Sequence, residues 1–190
     1  AEDGSVAVPL LGGHRGGNAL AVFLADQTGG IPAVTTAGEL RLGLALDMPP
    51  AGWRMANREM TKTLMAALLA GEKVALRCDV SDDGWFSGAG LEFHDDATLS
   101  IRVSAAATPP ADNELLFHPP VLALGVGCER HAEATELEAL VTKTLEEHNL
   151  SPWAVACVCS FDLKSDEKAV RVLAESLGVP ARFFDAEELT

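Results

Sequence analysis

Two glycine-rich turns carry the polar residues of this sequence that are best placed for chemistry. The first is Gly12-Gly13-His14-Arg15-Gly16-Gly17-Asn18, and the second is Gly125-Val126-Gly127-Cys128-Glu129-Arg130. Each follows an apolar run typical of a buried strand and precedes a pattern typical of a helix. A strand, a glycine-rich turn and a helix N-terminus together present free backbone N–H groups, which bind anions. The two turns are therefore predicted to hold an anionic ligand.

The first turn has two interpretations. It lacks the Gly-Lys-Ser/Thr ending of a Walker A loop and is no clean dinucleotide fingerprint. A tight connection between a strand and a helix, without a ligand, would need only the flexibility of glycine. His14 and Arg15 favour ligand contact, because such a connection has no use for two cationic donors. Thr35 and Thr36 end a later strand pattern, where their hydroxyls serve as a helix cap or as ligand contacts.

The four cysteines have no spacing typical of a disulfide scaffold, so we expect reduced thiols in a cytoplasmic protein. Cys157-x-Cys159 places both sulfur atoms on one face of a predicted strand. This pair could ligate a metal or could be buried in the core. Since no second pair of ligands accompanies it, buried core thiols are the favoured interpretation and no metal site is predicted.

Composition narrows the class of protein. The chain has 190 residues, a formal net charge of −14 and 48% hydrophobic residues, which is typical of a folded globular protein. The negative charge disfavours binding to nucleic acid or to anionic membranes. A small anionic ligand remains compatible with it, because backbone N–H groups can oppose the overall field. No apolar run reaches the roughly 18 residues of a membrane span, and no signal peptide is recognised.

The elements that position the second turn are the most legible part of the sequence. Apolar runs at 121–126, 154–159 and 181–184 alternate with helix patterns at 132–148 and before Gly178. This order predicts a parallel βαβαβ unit with right-handed crossovers. The turns at 125–130 and 160–164 then open at the same edge of one sheet, where ligands bind in open α/β sheets.

The earlier part of the chain predicts a second α/β domain. Strand patterns lie at 5–11, 33–35 and 73–78, and helix patterns lie at 19–26 and 57–70. Residues 79–104 look like a small antiparallel insertion, and residues 105–120, with four prolines, look like a linker. The predicted fold class is α/β, with two small domains of mostly parallel sheets at 1–78 and 119–190. The β insertion and the Pro-rich linker, residues 79–118, join them.

Several motifs in order resemble the CbiG/CobE family of cobalamin biosynthesis. They are Leu10 to Asn18, Thr35 to Ala37, Ala67 to Glu72, the Gly-x-Gly-Cys-x-Arg turn at 125–130, Ser160 to Glu167, Gly178 to Phe183 and Ala186 to Leu189. CobE resembles only the carboxyl-terminal part, so the presence of both halves is closer to CbiG. The likeness covers most of the chain and is least secure at 79–118.

The resemblance implies hydrolysis of cobalt-precorrin-5A. The δ-lactone of the corrinoid ring opens, and acetaldehyde leaves to give cobalt-precorrin-5B. The implied substrate is a tetrapyrrole macrocycle ringed by carboxylates. Its cobalt belongs to the substrate, and the protein is expected to need no cofactor of its own. Homodimerisation and contact with other enzymes of the corrin pathway stay open.

The implied site follows the two turns. His14 is the candidate that activates water, since imidazole titrates near neutral pH, and Glu129 is the alternative base. Arg15 and Lys164 are candidates for binding substrate carboxylates. Direct attack by water is expected, because no nucleophilic-serine elbow is present. The other predicted substrate contacts are Gly12, Gly13, Gly16, Gly17, Asn18, Thr35, Thr36, Gly125, Gly127, Cys128, Arg130 and Asp162.

The sequence departs from the family at two places. After Arg130 the family usually has Gly-Thr, whereas this chain has His131-Ala132, which removes a hydroxyl and adds a ring at the entry to the helix. The amino-terminal domain of the family also has a strand and a helix before the position of Leu10. These elements are missing here, so we expect the chain to be a fragment or to lack an upstream part; a fragment that binds but does not catalyse is the alternative to an active enzyme.

Overall fold

The computed structural model describes residues 5–8, 16–33, 42–81, 84–89 and 91–188, and the fold is that of these residues. They form three sheets that follow one another along the chain. Neighbouring strands run parallel, except for one antiparallel edge strand in the second sheet. This architecture confirms the predicted α/β class with mostly parallel sheets.

The first unit positions the amino-terminal turn. Strand β1, Val6–Ala7, pairs in parallel with β2, Ile31–Pro32, and helix α1, Gly17–Thr28, connects them. Ala21 and Ala25 form the buried side of this helix. The predicted helix is confirmed. The second strand lies at the Ile-Pro dipeptide instead of after it, and residues 9–11 and 34–35 of the predicted strands are outside the described residues.

The second sheet has the order β3-β6-β5-β4. Its strands are β3 Arg54–Met55, β4 Val74–Cys78, β5 Leu99–Val103 and β6 Glu114–His118. Helix α2, Met60–Ala70, precedes β4, and the short helix α3, Gly84–Ser87, follows it. Strands β4, β5 and β6 are parallel, and β3 lies antiparallel on the outer side of β6.

The predicted antiparallel insertion and Pro-rich linker are both wrong. Strand β5 pairs in parallel with β4 and β6, so residues 79–118 contribute the middle of the sheet. The prolines at 109, 110, 119 and 120 flank β6 and lie outside it. All five residues of β6 are buried. The prediction failed because the proline-rich flanks hid a short central strand, and because no helix fills the crossover at 104–113 to mark it as parallel.

Aromatic packing closes the core of the second sheet. Trp53, Trp85, Phe86 and Phe117 meet with ring centroids 4.7 to 6.4 Å apart, mostly edge to face or tilted. Such pairs stabilise beyond the burial of their area. Trp53 lies one residue before β3, so this cluster fixes the edge strand that carries Arg54.

The third sheet confirms the predicted βαβαβ unit. Its strands, in spatial order, are β7 Leu122–Gly125, β8 Val155–Phe161 and β9 Ala181–Phe184. Helices α4, Ala134–Glu147, and α5, Lys168–Leu177, are the crossovers. The apolar stripe Leu137, Val141 and Leu145 packs with Val170 and Leu173 in one buried cluster. Spacing of three and four residues places such a stripe on one helix face.

A seam of hydrogen bonds joins the second and third sheets. The N–H of Ser151 donates to the carbonyl of Ala105 at 2.8 Å, and the N–H of Ala107 donates to the carbonyl of Asn149 at 2.9 Å. The Asn149 amide also donates to the Thr108 hydroxyl at 2.9 Å. The residues once expected to be a linker are therefore held on both sides.

One buried ion pair supports this seam. Arg102 Nε donates to Glu114 Oε2 at 2.9 Å, and both side chains are nearly buried. The same guanidinium donates to the carbonyls of Thr108 at 2.9 Å and Pro109 at 3.0 Å. The side chain of Arg102 thus ties the crossover to β5.

Within the described residues, no helix is long and apolar enough to cross a membrane.

We expect Arg102→Met to lower the free energy of unfolding by about 3–5 kcal/mol, because it leaves the Glu114 carboxylate buried without its charged partner, with only the long contact from the Ala111 N–H at 3.4 Å. Urea denaturation at pH 7 measures this loss. The double variant R102M/E114L, which removes both charges, should recover a large part of it.

Arg77→Met is the matched control. Arg77 lies on β4 in register with Arg102 and is exposed, so its removal should change the stability by no more than about 0.5 kcal/mol. Equal effects of the two single substitutions would show that the Arg102–Glu114 pair does not support the seam.

Candidate functional site

The carboxyl ends of β7 and β8 bring the two predicted strand-end turns together. The N–H of Val126 donates to the carbonyl of Cys159 at 2.8 Å, and the Ser160 hydroxyl donates to the carbonyl of Val126 at 2.9 Å. Helices α4 and α5 begin at this same edge. The prediction that the turns at 125–130 and 160–164 share one sheet edge is confirmed.

The carboxylate of Glu167 accepts the backbone N–H of His131, at the end of the turn 125–131, which we call the strand-end turn. The N–H of His131 is shared between the two oxygens of Glu167, at 3.1 and 3.2 Å. Glu167 is the residue before α5 and is only 5% exposed. A carboxylate that accepts backbone N–H groups at helix N-termini is the arrangement an anionic ligand would adopt. The backbone N–H of His131 therefore already binds an anion, the Glu167 carboxylate of the same chain.

Arg130 is also engaged. Its Nη1 donates to Asp166 Oδ2 at 3.2 Å, and its Nη2 donates to the carbonyl of Leu163 at 3.2 Å. Hydrogen bonding to the Arg130 guanidinium, and then its charge, hold the pKa of the Asp166 carboxyl below its ordinary value. Both side chains are exposed, so the pair is weak and open to exchange.

His131 takes a backbone conformation that favours glycine. Its φ is 63°, in the left-handed region. The Glu167 contact to its N–H holds the turn in that conformation. A side chain with a Cβ in this region carries local strain.

Two cavities lie at the turn. One, of about 310 Å³, lies between the starts of α4 and α5 and is lined by 130–134 and 166–169. The other, of about 430 Å³, is lined by Gly127, Cys128, Glu129, Arg130 and residues of the first turns of α4. Of the predicted site residues, Glu129 thus faces a cavity together with Arg130. Asp162 is exposed and Lys164 is half-buried in the short 3₁₀ turn Asp162–Lys164.

The amino-terminal turn is described only in part. Gly16 has a φ of 90° and precedes α1, which begins at Gly17. Asn18 is buried in the first turn of this helix. The remaining predicted residues of this site lie outside the described residues: Gly12, Gly13, His14, Arg15, Thr35 and Thr36. Their roles remain predictions.

The Cys157 and Cys159 sulfur atoms lie 3.5 Å apart on β8, as their spacing predicts, and both are free thiols. Burial raises the pKa of the Cys159 thiol, and the Cys157 thiol raises it further against the charge of Arg182. A protonated thiol is a poor nucleophile and a poor metal ligand. Across the described ranges, no three His, Cys, Asp or Glu side chains are grouped to hold a metal ion.

Sequence reasoning missed the residues that decide the chemistry of the turn. Glu167 and Asp166 were noted only as part of a family motif, although they satisfy His131 and Arg130. A carboxylate at the start of an amphipathic helix is a signal of a helix N-terminus, so the position of Glu167 could have been found. Its partner could not, because His131 lies on a different element 36 residues away.

We expect His131→Gly to be more stable than His131→Ala by about 1 kcal/mol. Alanine keeps the strain of a left-handed residue, whereas glycine adopts this conformation freely. Urea denaturation of the two variants gives the difference.

His148 supplies the control with the opposite sign. It ends α4 at a φ of −99°, where glycine has no advantage. There the glycine variant should be the less stable one, because it loses more backbone entropy on folding. The same sign at both positions would contradict the strain at His131.

Three sequence models of one protein family match the chain in order. They are "Cobalamin synthesis G N-terminal" at residues 1–39, "Cobalamin biosynthesis central region" at 45–119 and "Cobalamin synthesis G C-terminus" at 122–190. The central match covers the second sheet, and the last covers the third sheet together with the strand-end turn.

Curated relatives agree. A cobalt-precorrin-5A hydrolase of Priestia megaterium is 26% identical over 213 residues, covering 99% of this chain and 56% of the relative. A cobalt-precorrin-5A hydrolase of Salmonella typhimurium is 30% identical over 203 residues, covering 99% of this chain and 58% of the relative. Protein CobE of a Sinorhizobium species is 38% identical over 68 residues, covering 36% of this chain and 44% of the relative.

The chain thus spans little more than half the length of the two hydrolases. Within that length it carries the amino-terminal, central and carboxyl-terminal parts of one family in their order. The resemblance inferred from the motifs is confirmed, and the chain belongs to the CbiG family of cobalamin biosynthesis proteins.

Proposed function

We propose that this protein acts in cobalamin biosynthesis by hydrolysing cobalt-precorrin-5A to cobalt-precorrin-5B and acetaldehyde. One observation carries the proposal. The similarity to two cobalt-precorrin-5A hydrolases runs over 99% of the chain and through all three parts of the family. A relationship limited to one sheet would support no more than a shared domain.

The reaction sets three chemical demands. Water adds to the lactone carbonyl and gives up a proton, so a base must lie beside it. The carbonyl oxygen then carries negative charge, which backbone N–H groups can stabilise. When the acyl–oxygen bond breaks, the ring gains a carboxylate and the two-carbon fragment keeps a hydroxyl group. That hydroxyl loses its proton and becomes the C=O of acetaldehyde, while the bond from the fragment to the ring breaks and its electron pair stays with the conjugated ring. The macrocycle must be held by its carboxylates throughout.

For the base we propose His14, with Glu129 as the alternative. An imidazole is half protonated near neutral pH and can take and return a proton. Glu129 is exposed and lines the cavity of about 430 Å³ beside Arg130, so water has access to its carboxylate.

For the carboxylates we propose Arg15 and Lys164. Arg130 can contribute only if it leaves Asp166, which an exposed pair permits. The N–H of His131 can serve the oxyanion only if Glu167 moves, because that carboxylate accepts it now. The strand-end turn therefore needs a rearrangement before it binds an anion.

The remaining expectations follow from the same reaction. Hydrolysis exchanges no electrons, so the proposal includes no cofactor, and cobalt enters with the substrate. We propose a cytoplasmic protein whose ligand is a small tetrapyrrole and not a nucleic acid or a membrane.

A second candidate is a non-catalytic carrier of a corrinoid intermediate. A stretch of 68 residues is 38% identical to Protein CobE, whereas nearly the whole chain is 26% and 30% identical to the two hydrolases. The N–H of His131 is taken by Glu167 and is not free to stabilise an oxyanion, which favours a role without catalysis.

Anaerobic incubation with cobalt-precorrin-5A, followed by an assay of acetaldehyde with alcohol dehydrogenase and NADH, tests the proposal. We expect release of one equivalent of acetaldehyde by the protein. His14→Gln should lower the rate by at least about 100-fold, which is the usual contribution of a general base.

The control is His148→Gln, the same substitution at an exposed helix end, which should leave the rate unchanged. A change in the corrinoid absorption spectrum without any acetaldehyde would refute hydrolysis and favour the carrier. An active His14→Gln variant would transfer the role of the base to Glu129, which Glu129→Gln then checks.

A further inference from the structure

A groove lies where the second and third sheets meet, at the end of the third sheet away from the strand-end turn. A cavity of about 680 Å³ lies between β3 and the starts of β8 and β9, and a cavity of about 320 Å³ adjoins it. Arg54 and Trp153 line both, so the two cavities form one surface, which we call the inter-sheet groove. Volumes of a few hundred Å³ at such a junction are typical of ligand sites.

Trp153 presents a fixed aromatic face to the groove. The residue is 48% exposed. It lies in the short 3₁₀ turn Pro152–Ala154, where its backbone N–H donates to the Ser151 hydroxyl at 3.3 Å. Its ring contacts the ring of His118 edge to face at 5.9 Å. A proline, a cap and a buried neighbour thus hold an exposed indole in place.

His118 adds no charge behind this indole. Its ring is buried, and its Nδ1 donates to the carbonyl of Ser104 at 2.8 Å. Burial lowers the pKa of His118, and the charge of Arg102 lowers it further. The hydrogen bond to the Ser104 carbonyl raises the pKa but does not offset the burial. The imidazole is therefore neutral at pH 7, and the cations of the groove lie elsewhere.

Two arginines supply those cations. Arg54 and Arg58 both line the smaller cavity and are exposed, and neither forms an ion pair within the described part of the chain. Glu175 is the one carboxylate among the described lining residues. In a chain with a net charge of −14, two unpaired guanidinium groups beside one aromatic face are a local reversal of sign.

Three prolines and a glycine with little free space around it form another part of the lining. Gly52 has a φ of 85°, and a Cβ added there would lie 3.1 Å from Pro120 Cγ. Pro49, Pro120 and Pro152 line the same surface. A site with stiff walls loses little entropy when it binds a stiff ligand.

We propose that the inter-sheet groove is a second binding site for a tetrapyrrole polycarboxylate, apart from the turns to which the proposed function assigns hydrolysis, with the plane of the ring on Trp153 and its carboxylates on Arg54 and Arg58. Guanidinium groups bind carboxylates in bidentate pairs, and an indole face stacks on a conjugated ring. The choice of a tetrapyrrole polycarboxylate among flat anions rests on the proposed function.

The groove is separate from the strand-end turn and differs from it in having cations that are free of ion pairs within the described residues. In the turn, the N–H of His131 is taken by Glu167, and Arg130 is paired with Asp166. Strand β8 has seven residues, so the turn and the groove lie about 20 Å apart, at opposite ends of one strand. One macrocycle docks at one of them at a time.

A titration with uroporphyrin III, a flat tetrapyrrole with eight carboxylates, tests the site through the shift of the Soret absorption band. We expect Arg54→Gln and Arg58→Gln each to raise the Kd about tenfold, and Trp153→Leu to do the same. Arg77→Gln removes the same charge from the far edge of the second sheet and should leave the Kd within twofold.

Citrate, which has three carboxylates and no ring, should not displace the porphyrin. Displacement by citrate, or a Kd that rises in Arg130→Gln and Lys164→Gln but not in the groove variants, would overturn the inference. Failure of the wild-type protein to bind uroporphyrin III would overturn it too. The acetaldehyde assay separates this from the proposed function, since acetaldehyde release by the wild-type protein together with an unchanged uroporphyrin Kd in the groove variants refutes the groove and leaves hydrolysis intact.

Discussion

The seam between residues 105–108 and 149–151 is the constraint on which the arrangement of this protein depends. Two main-chain hydrogen bonds and one side-chain hydrogen bond cross it, and the N–H of Val121 adds another at 3.0 Å to the carbonyl of Ala154. These contacts hold the edge strand β3 beside the start of β8. Without these hydrogen bonds the second and third sheets would not hold Arg54 and Trp153 side by side, and no groove would form.

The seam depends in turn on buried polar groups. Arg102 binds Glu114 on one side and two carbonyls of the crossover on the other, while His118 binds the carbonyl of Ser104. Buried polar groups with partners cost little, whereas the loss of one partner leaves the other unsatisfied. The crossover between β5 and β6 has no helix to pack it, and these side chains stabilise it instead.

The carboxyl-terminal unit was predictable because each of its signals is local. The stripe of Leu137, Val141 and Leu145, the glycine after α5 and the apolar run of β8 each specify one element. The family motifs added the expected chemistry of the turn. Strands β5 and β6 were misjudged because their direction is set by pairing with distant strands, which no local pattern encodes.

The groove could not be predicted for a related reason. Trp153 lies 99 positions after Arg54 in the sequence, and only the packing of two sheets brings them to one surface. Likewise, Glu167 decides whether the turn at His131 is free to bind an anion, although it belongs to the next helix. The sequence located the strand-end turn as a candidate, and the partners of its Arg130 and His131 donors needed the structure.

Hydrogen exchange of the amides of Ala107 and Ser151 shows whether the seam holds the second and third sheets together, since these two N–H groups donate across it. If the seam joins the two sheets into one cooperative unit, both amides will exchange as slowly as the amide of Val158 in β8, with protection of at least about 5 kcal/mol. If both exchange within seconds while Val158 stays protected, the sheets move independently, and the account of one fixed groove between them is wrong.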